Sequence, residues 1–190
     1  MDLTGWEAQY RQEAASATER QSVPNPLLVE VARDLPPGRA LDLACGSGRN
    51  ALWLAEHSWN VTAVDGSATA VEILRGHAGR LGVPIDVRVA DLENAGFTIA
   101  PNCYDLIAMC YYFQRNLIEQ CKRGVVPGGV MVAIALLMEP GKEHSTFRLQ
   151  PGELRGYFAN WDTLHHREGT DVWQHNVAEL VVRRPALANM

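Results

Sequence analysis

The sequence predicts an α/β fold, in which a mostly parallel sheet alternates with helices and ends in an antiparallel hairpin. Between residues 39 and 138, short apolar runs alternate with helical stretches, which is the pattern of parallel strands joined by crossover helices. The first of these runs leads into a glycine turn, Cys45-Gly46-Ser47-Gly48, that opens a helix. Near the end of the chain, two strand-like stretches are close enough to pair as a hairpin, Trp161 to Gly169 and Asn176 to Arg184.

The composition narrows the class of protein. Of the 190 residues, 47% are hydrophobic and 21% are charged, which suits one domain with a sizeable core. No apolar run reaches the roughly 18 residues of a membrane span, and the first residues lack the basic start and apolar core of a signal peptide. We therefore expect a cytoplasmic protein that does not bind membranes. A net charge of −5 argues against binding to a phosphate backbone, so nucleic acid is not expected as a partner.

Cysteine and histidine spacing gives no sign of a metal site or a redox motif. The cysteines show no C-x-x-C spacing and are interpreted as small buried hydrophobic residues in a reducing compartment: Cys45, Cys103, Cys110 and Cys121. The histidines form no H-E-x-x-H pattern, and His165 and His166 would point to opposite faces of a strand. No metal ligand is predicted.

The first helical pattern runs from Thr4 to Ala17, with Thr4 as a candidate cap and Glu7 three positions later. Trp6 and Tyr10 are four residues apart and share one face of this helix. Two interpretations stay open. The helix could pack over an exposed edge or face of the sheet, or it could be a lid that places Trp6 and Tyr10 over a ligand.

A second helix precedes the sheet. Asn25 is its predicted cap and Pro26 its first residue, and the pattern runs to Leu35 before Pro36-Pro37-Gly38 ends it. No long linker separates these two helices from the rest of the chain, so one domain is predicted.

The glycine turn follows the apolar run from Ala40 to Ala44, which contains one acidic residue, Asp42. Gly46 and Gly48 lack the side chains that would keep a ligand away from the backbone. The helix that follows, Asn50 to His57, aims its free N–H groups and its positive dipole end at whatever lies in the turn. The turn is therefore predicted to be a cradle of the size of a nucleotide. The alternative is a plain β-turn-α connection that uses glycine.

The next strand, Asn60 to Asp65, ends in a carboxylate and is followed by Gly66-Ser67 and the helix Ala68 to Leu81. In a parallel sheet this end lies beside the glycine turn. The side chain of Asp65, seventeen positions after Gly48, could accept hydrogen bonds from both hydroxyls of a ribose. The simpler interpretation is that Asp65 caps the helix.

A third strand, Ile85 to Ala90, is again closed by a carboxylate, Asp91. With Leu92 it could bind a base, because a carboxylate accepts from an exocyclic amine and an apolar neighbour covers a ring face. A simple loop aspartate is the alternative.

The fourth strand, Tyr104 to Met109, leads into the aromatic stretch Cys110-Tyr111-Tyr112-Phe113-Gln114-Arg115. Because open α/β sheets bind ligands beyond the carboxyl ends of their strands, Tyr111, Tyr112 and Arg115 are candidates for contacting a cofactor or substrate. Core packing of Tyr112 and Phe113, and a capping role for Arg115, are the alternatives.

The remaining stretches complete the sheet. A helix from Gln114 to Arg123 leads to a tight turn at Val125 to Gly129 and then to a continuous apolar strand, Val130 to Leu137. A polar loop, Glu139 to Gln150, precedes a short helix that starts at Pro151, and the hairpin follows.

The glycine turn by itself allows two cofactors. The stretch from Gly46 to Ala51 satisfies the G-x-G-x-x-G/A dinucleotide fingerprint, so an NAD-dependent oxidoreductase is one hypothesis. Three features favour a different cofactor: Asp42 before the turn, Asp91 after the third strand, and the final hairpin. From Asp42 to Gly48, the sequence resembles the class I S-adenosylmethionine-dependent methyltransferases, whose motif is D/E-x-G-x-G-x-G, with Ala44 in place of the first glycine.

The resemblance extends from Trp6 to about Arg183. The segments C-G-S-G-R-N, Y-Y-F-Q-R, P-G-G and L-Q-P-G-E-L are similar to the tellurite-resistance methyltransferase subfamily. It implies a Rossmann-like, seven-stranded mixed sheet of order 3-2-1-4-5-7-6, with strand 7 antiparallel and helices on both faces. Within a single methyltransferase domain, residues 1–38 would form a helical cap or lid, residues 39–138 the cofactor-binding core, and residues 139–190 a substrate-side loop and hairpin.

The same resemblance implies where S-adenosylmethionine would bind. Asp42 and the glycine turn would lie against its methionine part, and Asp65 would take the ribose hydroxyls. Asp91-Leu92 would bind the adenine, while Cys110 and Tyr111 would lie under the sulfonium and its methyl group. The full set of predicted cofactor-binding residues is Trp6, Tyr10, Asp42, Ala44, Gly46, Gly48, Asn50, Asp65, Gly66, Ser67, Asp91, Leu92, Cys110, Tyr111 and Arg115.

The implied reaction is direct in-line displacement at the methyl carbon, with S-adenosylhomocysteine as product. Because a sulfonium carries an excellent leaving group, the protein mainly aligns the acceptor and excludes water, which contributes up to roughly 7–11 kcal/mol. No catalytic residue is predicted.

The acceptor is expected to be a small molecule, and several classes stay open. A neutral acceptor would need a base, for which His144 or a hairpin histidine could serve. An anionic acceptor, such as a thiolate or a chalcogen oxyanion, would use Arg115 or Arg148. The sequence does not choose between these classes, between a monomer and a homodimer, or between an enzyme and a non-catalytic protein that binds the cofactor.

Overall fold

A computed structural model describes residues 3–14, 23–94, 96–139 and 147–186 of the chain. Its helices are α1 (Leu3–Ala14), α2 (Pro26–Arg33), α3 (Arg49–Glu56), α4 (Ala68–Leu81), α5 (Ile118–Gly124) and α6 (Glu153–Gly156). Its strands are β1 (Arg39–Leu43), β2 (Asn60–Asp65), β3 (Ile85–Val89), β4 (Tyr104–Cys110), β5 (Val125–Leu136), β6 (Asp162–Thr170) and β7 (Asn176–Arg183).

Within the described residues, the strands form a seven-stranded sheet of order β3-β2-β1-β4-β5-β7-β6. β2 is parallel to both β1 and β3, and β4 is parallel to β5, whereas β7 is antiparallel to both β5 and β6. The predicted strand order and the antiparallel last strand are therefore confirmed. Two compact units make up the chain, one from Met1 to Thr98 and one from Ile99 to Met190.

The strands of the first unit differ in burial. β1 and β2 are buried along almost their whole length, while β3, at the edge of the sheet, is half-exposed or exposed. Leu41, Leu43 and Val64 are fully buried. Burying a side chain of this size stabilises the folded state by about 1.5–3 kcal/mol. These residues therefore hold β1 and β2 in the core.

The helices of the first unit start at their capping residues. The side chain of Asn25 accepts hydrogen bonds at 2.9 and 3.3 Å from two backbone N–H groups of the first turn of α2, with Pro26 at the first position, as predicted. α2 ends at Arg33, two residues before the predicted end. α4 has the predicted bounds, because the Ser67 hydroxyl caps its first turn and Gly82, with φ +68°, ends it.

Two expectations about helix starts are wrong. α1 begins at Leu3, so Thr4 lies within the helix rather than at its cap, and the predicted end at Ala17 lies outside the described residues. The stretch after Gln114 opens as a 3-10 helix, Arg115–Leu117, before α5 begins at Ile118.

The tight turn predicted at Val125 to Gly129 is instead part of β5. Two successive pairs of β4 and β5 are separated by one residue on β4 but by four residues on β5. Gly128 has φ +81°, the left-handed conformation that lets the backbone absorb this bulge. Its N–H donates to the carbonyl of Arg184 at 2.9 Å, so hydrogen bonding on the β7 side continues past the bulge.

Cysteine burial differs from the expectation. Cys45 and Cys121 are buried, but Cys103 and Cys110 are half-buried, and all four are free. Among the described residues, no three His, Cys, Asp or Glu side chains converge as a metal site would require. No helix in the described ranges combines the length and the apolar character that crossing a bilayer requires.

Candidate functional site

The glycine turn holds several backbone positions in the left-handed region. Ala44, Gly46 and Gly48 have φ of +53°, +55° and +92°. A Cβ on Gly48 would overlap the side chain of Leu74, and one on Gly46 would overlap the hydroxyl of Tyr10. Both positions therefore require glycine for conformation and for space, whereas Ala44 adopts the same region despite its Cβ.

The carboxylate of Asp65 holds this turn in place. Its Oδ2 accepts a hydrogen bond from the N–H of Gly46, and its Oδ1 one from the N–H of Ser67, both at 2.8 Å. Burial raises the pKa of Asp65 more than these hydrogen bonds lower it. The N-cap of α4 is Ser67 itself, so Asp65 is not the capping residue. The N–H of Gly66 also hydrogen-bonds to this carboxylate, so three backbone donors from the turn and the start of α4 hold it in place.

Asp42 lies in β1 just before the turn and is only 1% exposed. Burial raises its pKa to about 7; the guanidinium of Arg49 opposes this rise, and the charge of Asp65 adds to it. The carboxylate accepts a hydrogen bond from the N–H of Ala51, but its buried Oδ2 makes none with any described residue. A buried acceptor without a donor costs about 1–3 kcal/mol, so a ligand that brought a donor here would gain affinity.

Asn50, in the first turn of α3, is engaged within the protein. Its Oδ1 accepts a hydrogen bond from the N–H of Asn25 at 2.9 Å, and the residue is 5% exposed. This bond ties the start of α2 to the start of α3, so Asn50 positions the helix that follows the glycine turn.

α1 packs against α4 and over the turn. Leu3 fills the space beside Gly66, and the hydroxyl of Tyr10 fills the space beside Gly46. The rings of Trp6 and Tyr10 are 6.4 Å apart and tilted by 32°, and Trp6 is 38% exposed. Of the two aromatic residues predicted for a lid, Tyr10 is the one at the turn.

Glu7 joins α1 to the start of α4. Its carboxylate accepts hydrogen bonds from the hydroxyls of Ser67 and Thr69, both at 2.6 Å, and from the N–H of Thr69 at 3.3 Å. These bonds lower the pKa of Glu7 to about 2. A negative charge at a helix N-terminus is also favoured by the helix dipole. From the sequence, Glu7 is predicted only as part of its own helix. Its partners are some sixty residues away, so they give no local signal.

At the end of β3, Asp91 organises its own loop. Its Oδ1 accepts from the N–H groups of Glu93 and Asn94, and its Oδ2 from the side-chain amide of Asn94 at 2.8 Å. The bond from the Asn94 side chain leads the effects that lower the pKa of Asp91. Leu92 beside it is 5% exposed. The carboxylate is therefore ionised and fixed in position.

At the end of β4, Tyr111 takes a left-handed conformation, with φ +60°. Its N–H donates to the carbonyl of Ile134 at 2.6 Å, and its hydroxyl donates to Asp171 at 2.7 Å. Cys110 beside it is half-buried. Asp171 was not predicted from the sequence, although an Asp that opens a five-residue hairpin turn is typical of a side chain that accepts from the next N–H groups.

The arginines predicted to supply charge are paired with carboxylates. Arg115 lies 2.7 Å from Glu153, and Arg148 lies 3.2 Å from Glu139. Arg115 also donates to the carbonyl of Arg148 at 3.2 Å. Both guanidinium groups therefore have partners within the second unit.

The predicted residues fall into three places. One group lies around the glycine turn, with α1 over it: Trp6, Tyr10, Asp42, Ala44, Gly46, Gly48, Asn50, Asp65, Gly66 and Ser67. Asp91 and Leu92 follow β3, and Cys110, Tyr111 and Arg115 belong to the second unit.

Comparison with known proteins adds the following. A family model described as tellurite resistance protein TehB matches residues 18–179. The chain is 28% identical over 149 residues to a protein named hemagglutinin 1 from Eikenella corrodens, with 73% of this chain and 49% of that protein covered. It is 26% identical over 151 residues to a probable S-adenosyl-L-methionine-dependent methyltransferase TehB of Haemophilus influenzae, with 74% and 52% covered.

Among solved structures, the crystal structure of TehB from Haemophilus influenzae matches with a TM-score of 0.75 at 22% identity. The match covers 90% of this chain and 65% of the other, and it shows a common fold. The chain spans about half the length of the curated relatives it matches.

Proposed function

Because the chain belongs to the tellurite resistance protein TehB family, we propose that it transfers the methyl group of S-adenosylmethionine to a small-molecule acceptor and releases S-adenosylhomocysteine. The observation that carries the proposal is the glycine turn, whose bare backbone positions are braced by the buried carboxylate of Asp65. A relative from Haemophilus influenzae is named a probable S-adenosyl-L-methionine-dependent methyltransferase.

The residues around the turn suit the cofactor in charge and in hydrogen bonding. The ammonium group of its methionine part is a donor, and the Oδ2 of Asp42 is a buried acceptor that lacks one among the described residues. The carboxylate of Asp65 is an acceptor that suits the hydroxyls of a ribose. The ionised Asp91 suits an exocyclic amine, and the side chain of Leu92 suits the face of the adenine ring.

α1 is proposed to act as the lid. The hydroxyl of Tyr10 lies where a ligand would approach Gly46, so binding requires α1 to shift or Tyr10 to rotate. Glu7 keeps the helix attached to α4 through Ser67 and Thr69 during such a shift. A lid of this kind excludes water, which would otherwise compete with the acceptor.

The bound cofactor supplies a methyl group on a sulfonium, which is already activated for displacement. The chain then has to hold the acceptor in line with the methyl carbon, an alignment worth up to roughly 7–11 kcal/mol. Cys110 and Tyr111, at the end of β4, are proposed to line the path of the methyl group.

Isothermal titration with S-adenosylhomocysteine tests the cofactor site. We expect binding by the wild type and at least tenfold weaker binding by Asp65→Asn, because the amide supplies a donor where two hydroxyls need an acceptor. Asp86→Asn is the matched control, since Asp86 is exposed on β3 and pairs with Arg88. Equal binding by both variants would contradict the assigned role of Asp65.

The same titration separates the other hypotheses. If the titration detects binding of NADH and no binding of S-adenosylhomocysteine, the protein is an NAD-dependent oxidoreductase and the proposal fails. Binding of S-adenosylhomocysteine without methylated product from any small acceptor would indicate a protein that binds the cofactor and does not use it.

A further inference from the structure

A pocket of about 270 Å³ lies between α3 and α4 in the first unit. It is lined from α3 by Arg49, Trp53 and Glu56, and from the end of α4 by His77 and Arg80. None of the residues that line this pocket is among those assigned to the cofactor. Its volume is just below the roughly 300–1,000 Å³ of pockets that hold drug-sized ligands, so a molecule with a single ring would fill it.

Trp53 forms a fixed aromatic wall of the pocket. Its ring stacks on the ring of His57, with centroids 3.9 Å apart and planes inclined by 20°, and Nδ1 of His57 donates to the Trp53 carbonyl at 2.7 Å. The guanidinium of Arg33 lies 5.9 Å from the centre of the indole ring. Leu52 and Leu81 add apolar surface to the same pocket. Because the indole is already held in place, it loses little conformational freedom when a flat ring packs against it.

The charged groups that line the pocket are unequal in number. Arg49 and Arg80 each bring a guanidinium, and Glu56 brings one carboxylate. Burial lowers the pKa of His77, and the charge of Arg80 lowers it further, so the imidazole is neutral at pH 7. One positive charge is therefore in excess in the pocket.

Arg80 is the guanidinium that is available to a ligand. Among the residues that the structure describes, its side chain forms no ion pair and no hydrogen bond. Arg75 on the same helix differs, because its guanidinium pairs with Glu72 at 2.8 Å and donates to the carbonyl of Val87 at 2.9 Å. A guanidinium can present two parallel N–H groups to a carboxylate, and such a pair is stronger than a hydrogen bond between neutral groups.

The number of charges selects the kind of anion. A carboxylate brings one negative charge, which balances the excess, whereas a phosphate ester brings about −1.5 to −2 at pH 7. The phosphate ester would therefore leave negative charge in the same pocket as Glu56. Arg49 also interacts electrostatically with Asp42, but the pKa of Asp42 is about 7, so that carboxyl is largely protonated at pH 6.5 and does not compensate Arg49 there.

We propose that this pocket binds a small aromatic carboxylate, with the ring against Trp53 and the carboxylate on the guanidinium groups of Arg49 and Arg80. The pocket is lined by other residues than the site proposed for the cofactor, so the inference does not rest on the proposed methyl transfer. Benzoate is the simplest molecule of this class and serves as the probe.

NMR spectra of the backbone and indole N–H groups of the full chain, at pH 6.5 and low salt, test the class of ligand. The chain has five tryptophans, and the indole signal of Trp53 is identified by its absence in Trp53→Phe. We expect benzoate to shift this signal until it saturates. Benzamide, which has the ring without the charge, and acetate, which has the charge without the ring, should each bind at least fivefold more weakly.

Three results of this titration overturn the proposal. The first is a Trp53 signal that does not shift or does not saturate with benzoate. The second is binding of benzamide or acetate within fivefold of benzoate. The third is tighter binding of phenyl phosphate than of benzoate, because the pocket would then not be matched to a single negative charge.

A pair of arginine variants locates the site. Arg80→Gln should weaken the binding of benzoate at least fivefold, because the carboxylate loses a charged partner. Arg75→Gln is the matched control, since it removes the same charge from the same helix and Arg75 is paired with Glu72. We expect the control to bind benzoate within twofold of the wild type. Equal affinities of the two variants overturn the assignment to this pocket.

A titration in the presence of saturating S-adenosylhomocysteine separates this inference from the proposed function. We expect the benzoate shift of Trp53 to remain, because different residues line the two sites. If S-adenosylhomocysteine abolishes the shift, benzoate binds at the glycine turn and the inference fails while the proposed function stands. If the chain does not bind S-adenosylhomocysteine, the proposed function fails, and the arginine variants still decide whether the pocket binds benzoate.

Discussion

Asp65 and Asp91 of the first unit accept hydrogen bonds from different partners than Glu153 and Glu179 of the second unit. In the first unit, Asp65 and Asp91 accept mainly from backbone N–H groups of the loops that follow β1, β2 and β3. In the second unit, Glu153 and Glu179 each accept from an arginine side chain, Arg115 and Arg167. A backbone donor is present whatever the side chain is, so the first arrangement survives substitution of the residues that donate. The second arrangement is lost when either residue of the pair is substituted.

The largest effect should come from Asp42, the most buried charge of the first unit. The folded chain keeps a proton on this carboxyl that the unfolded chain, with a pKa near 3.8, releases before the pH reaches about 7. The free energy of unfolding should therefore fall as pH rises through that window, by roughly 4 kcal/mol in total. Asp42→Asn should remove this slope in urea titrations between pH 4 and 8. If the exposed control Asp86→Asn removes it equally, Asp42 is not its origin.

Gly48→Ala should have the next largest effect on the free energy of unfolding. The new Cβ would strain a backbone with φ +92° and overlap Leu74, so we expect a loss of about 3 kcal/mol of unfolding free energy. Gly79→Ala is the matched change on α4, where a Cβ meets nothing within 4 Å. That change should stabilise the chain by about 0.5–1 kcal/mol. Urea denaturation that shows the same sign for both would refute the packing role of Gly48.

Tyr111→Phe probes the second unit. Loss of the hydrogen bond to the buried Asp171 should cost about 2 kcal/mol, since a bond to a charged group contributes about 1.5–3 kcal/mol. Tyr157→Phe provides a comparison, because that hydroxyl donates to Glu153, which also pairs with Arg115 and is less buried. Thermal unfolding should show the smaller effect for Tyr157→Phe, and the reverse order would contradict the role given to the hydrogen bond between Tyr111 and Asp171.

The smallest effect should be local to α1. The pKa of Glu7 is lowered from 4.5 to about 2, so what Glu7 contributes is fully present above pH 4.5 and is lost as pH falls toward 2. Glu7→Gln should speed amide hydrogen exchange in α1 several-fold at pH 6 and leave β1 unchanged. Glu72→Gln, on the exposed face of α4 beside Arg75, should leave exchange in both elements unchanged. Faster exchange throughout the first unit in Glu7→Gln would mean that Glu7 supports the core and not a lid.

Local signals made much of the fold predictable. The bounds of β2 agree with the prediction because its apolar run is clearly delimited. The bounds of α4 agree because Ser67 caps its start and Gly82 ends it. The cap of α2 at Asn25 is similarly local. The prediction of a turn at Pro127-Gly128-Gly129 is wrong, because hydrogen bonds between this segment and Arg184 keep it in β5 as a bulge. Arg184 is more than fifty residues away, so no local pattern contains this signal.

The candidate site is less predictable from the sequence, because several of its contacts join residues that are far apart along the chain. The glycine turn is visible as a short pattern, and so are Asp42 in β1, Asp65 at the end of β2 and Asp91 after β3. The contacts of Glu7 with Ser67 and of Tyr111 with Asp171 each join residues sixty positions apart, so no window of sequence contains both partners. Tertiary structure, and not local pattern, decides which side chains hold α1 and the end of β4.

A crystal structure of the chain with S-adenosylhomocysteine tests the central claim most directly. We expect the homocysteine part against the glycine turn, its ammonium group on the Oδ2 of Asp42, and the ribose hydroxyls on Asp65, with Tyr10 moved away from Gly46. Density for the ligand at any other place in the molecule, with Tyr10 still against Gly46, would contradict the account.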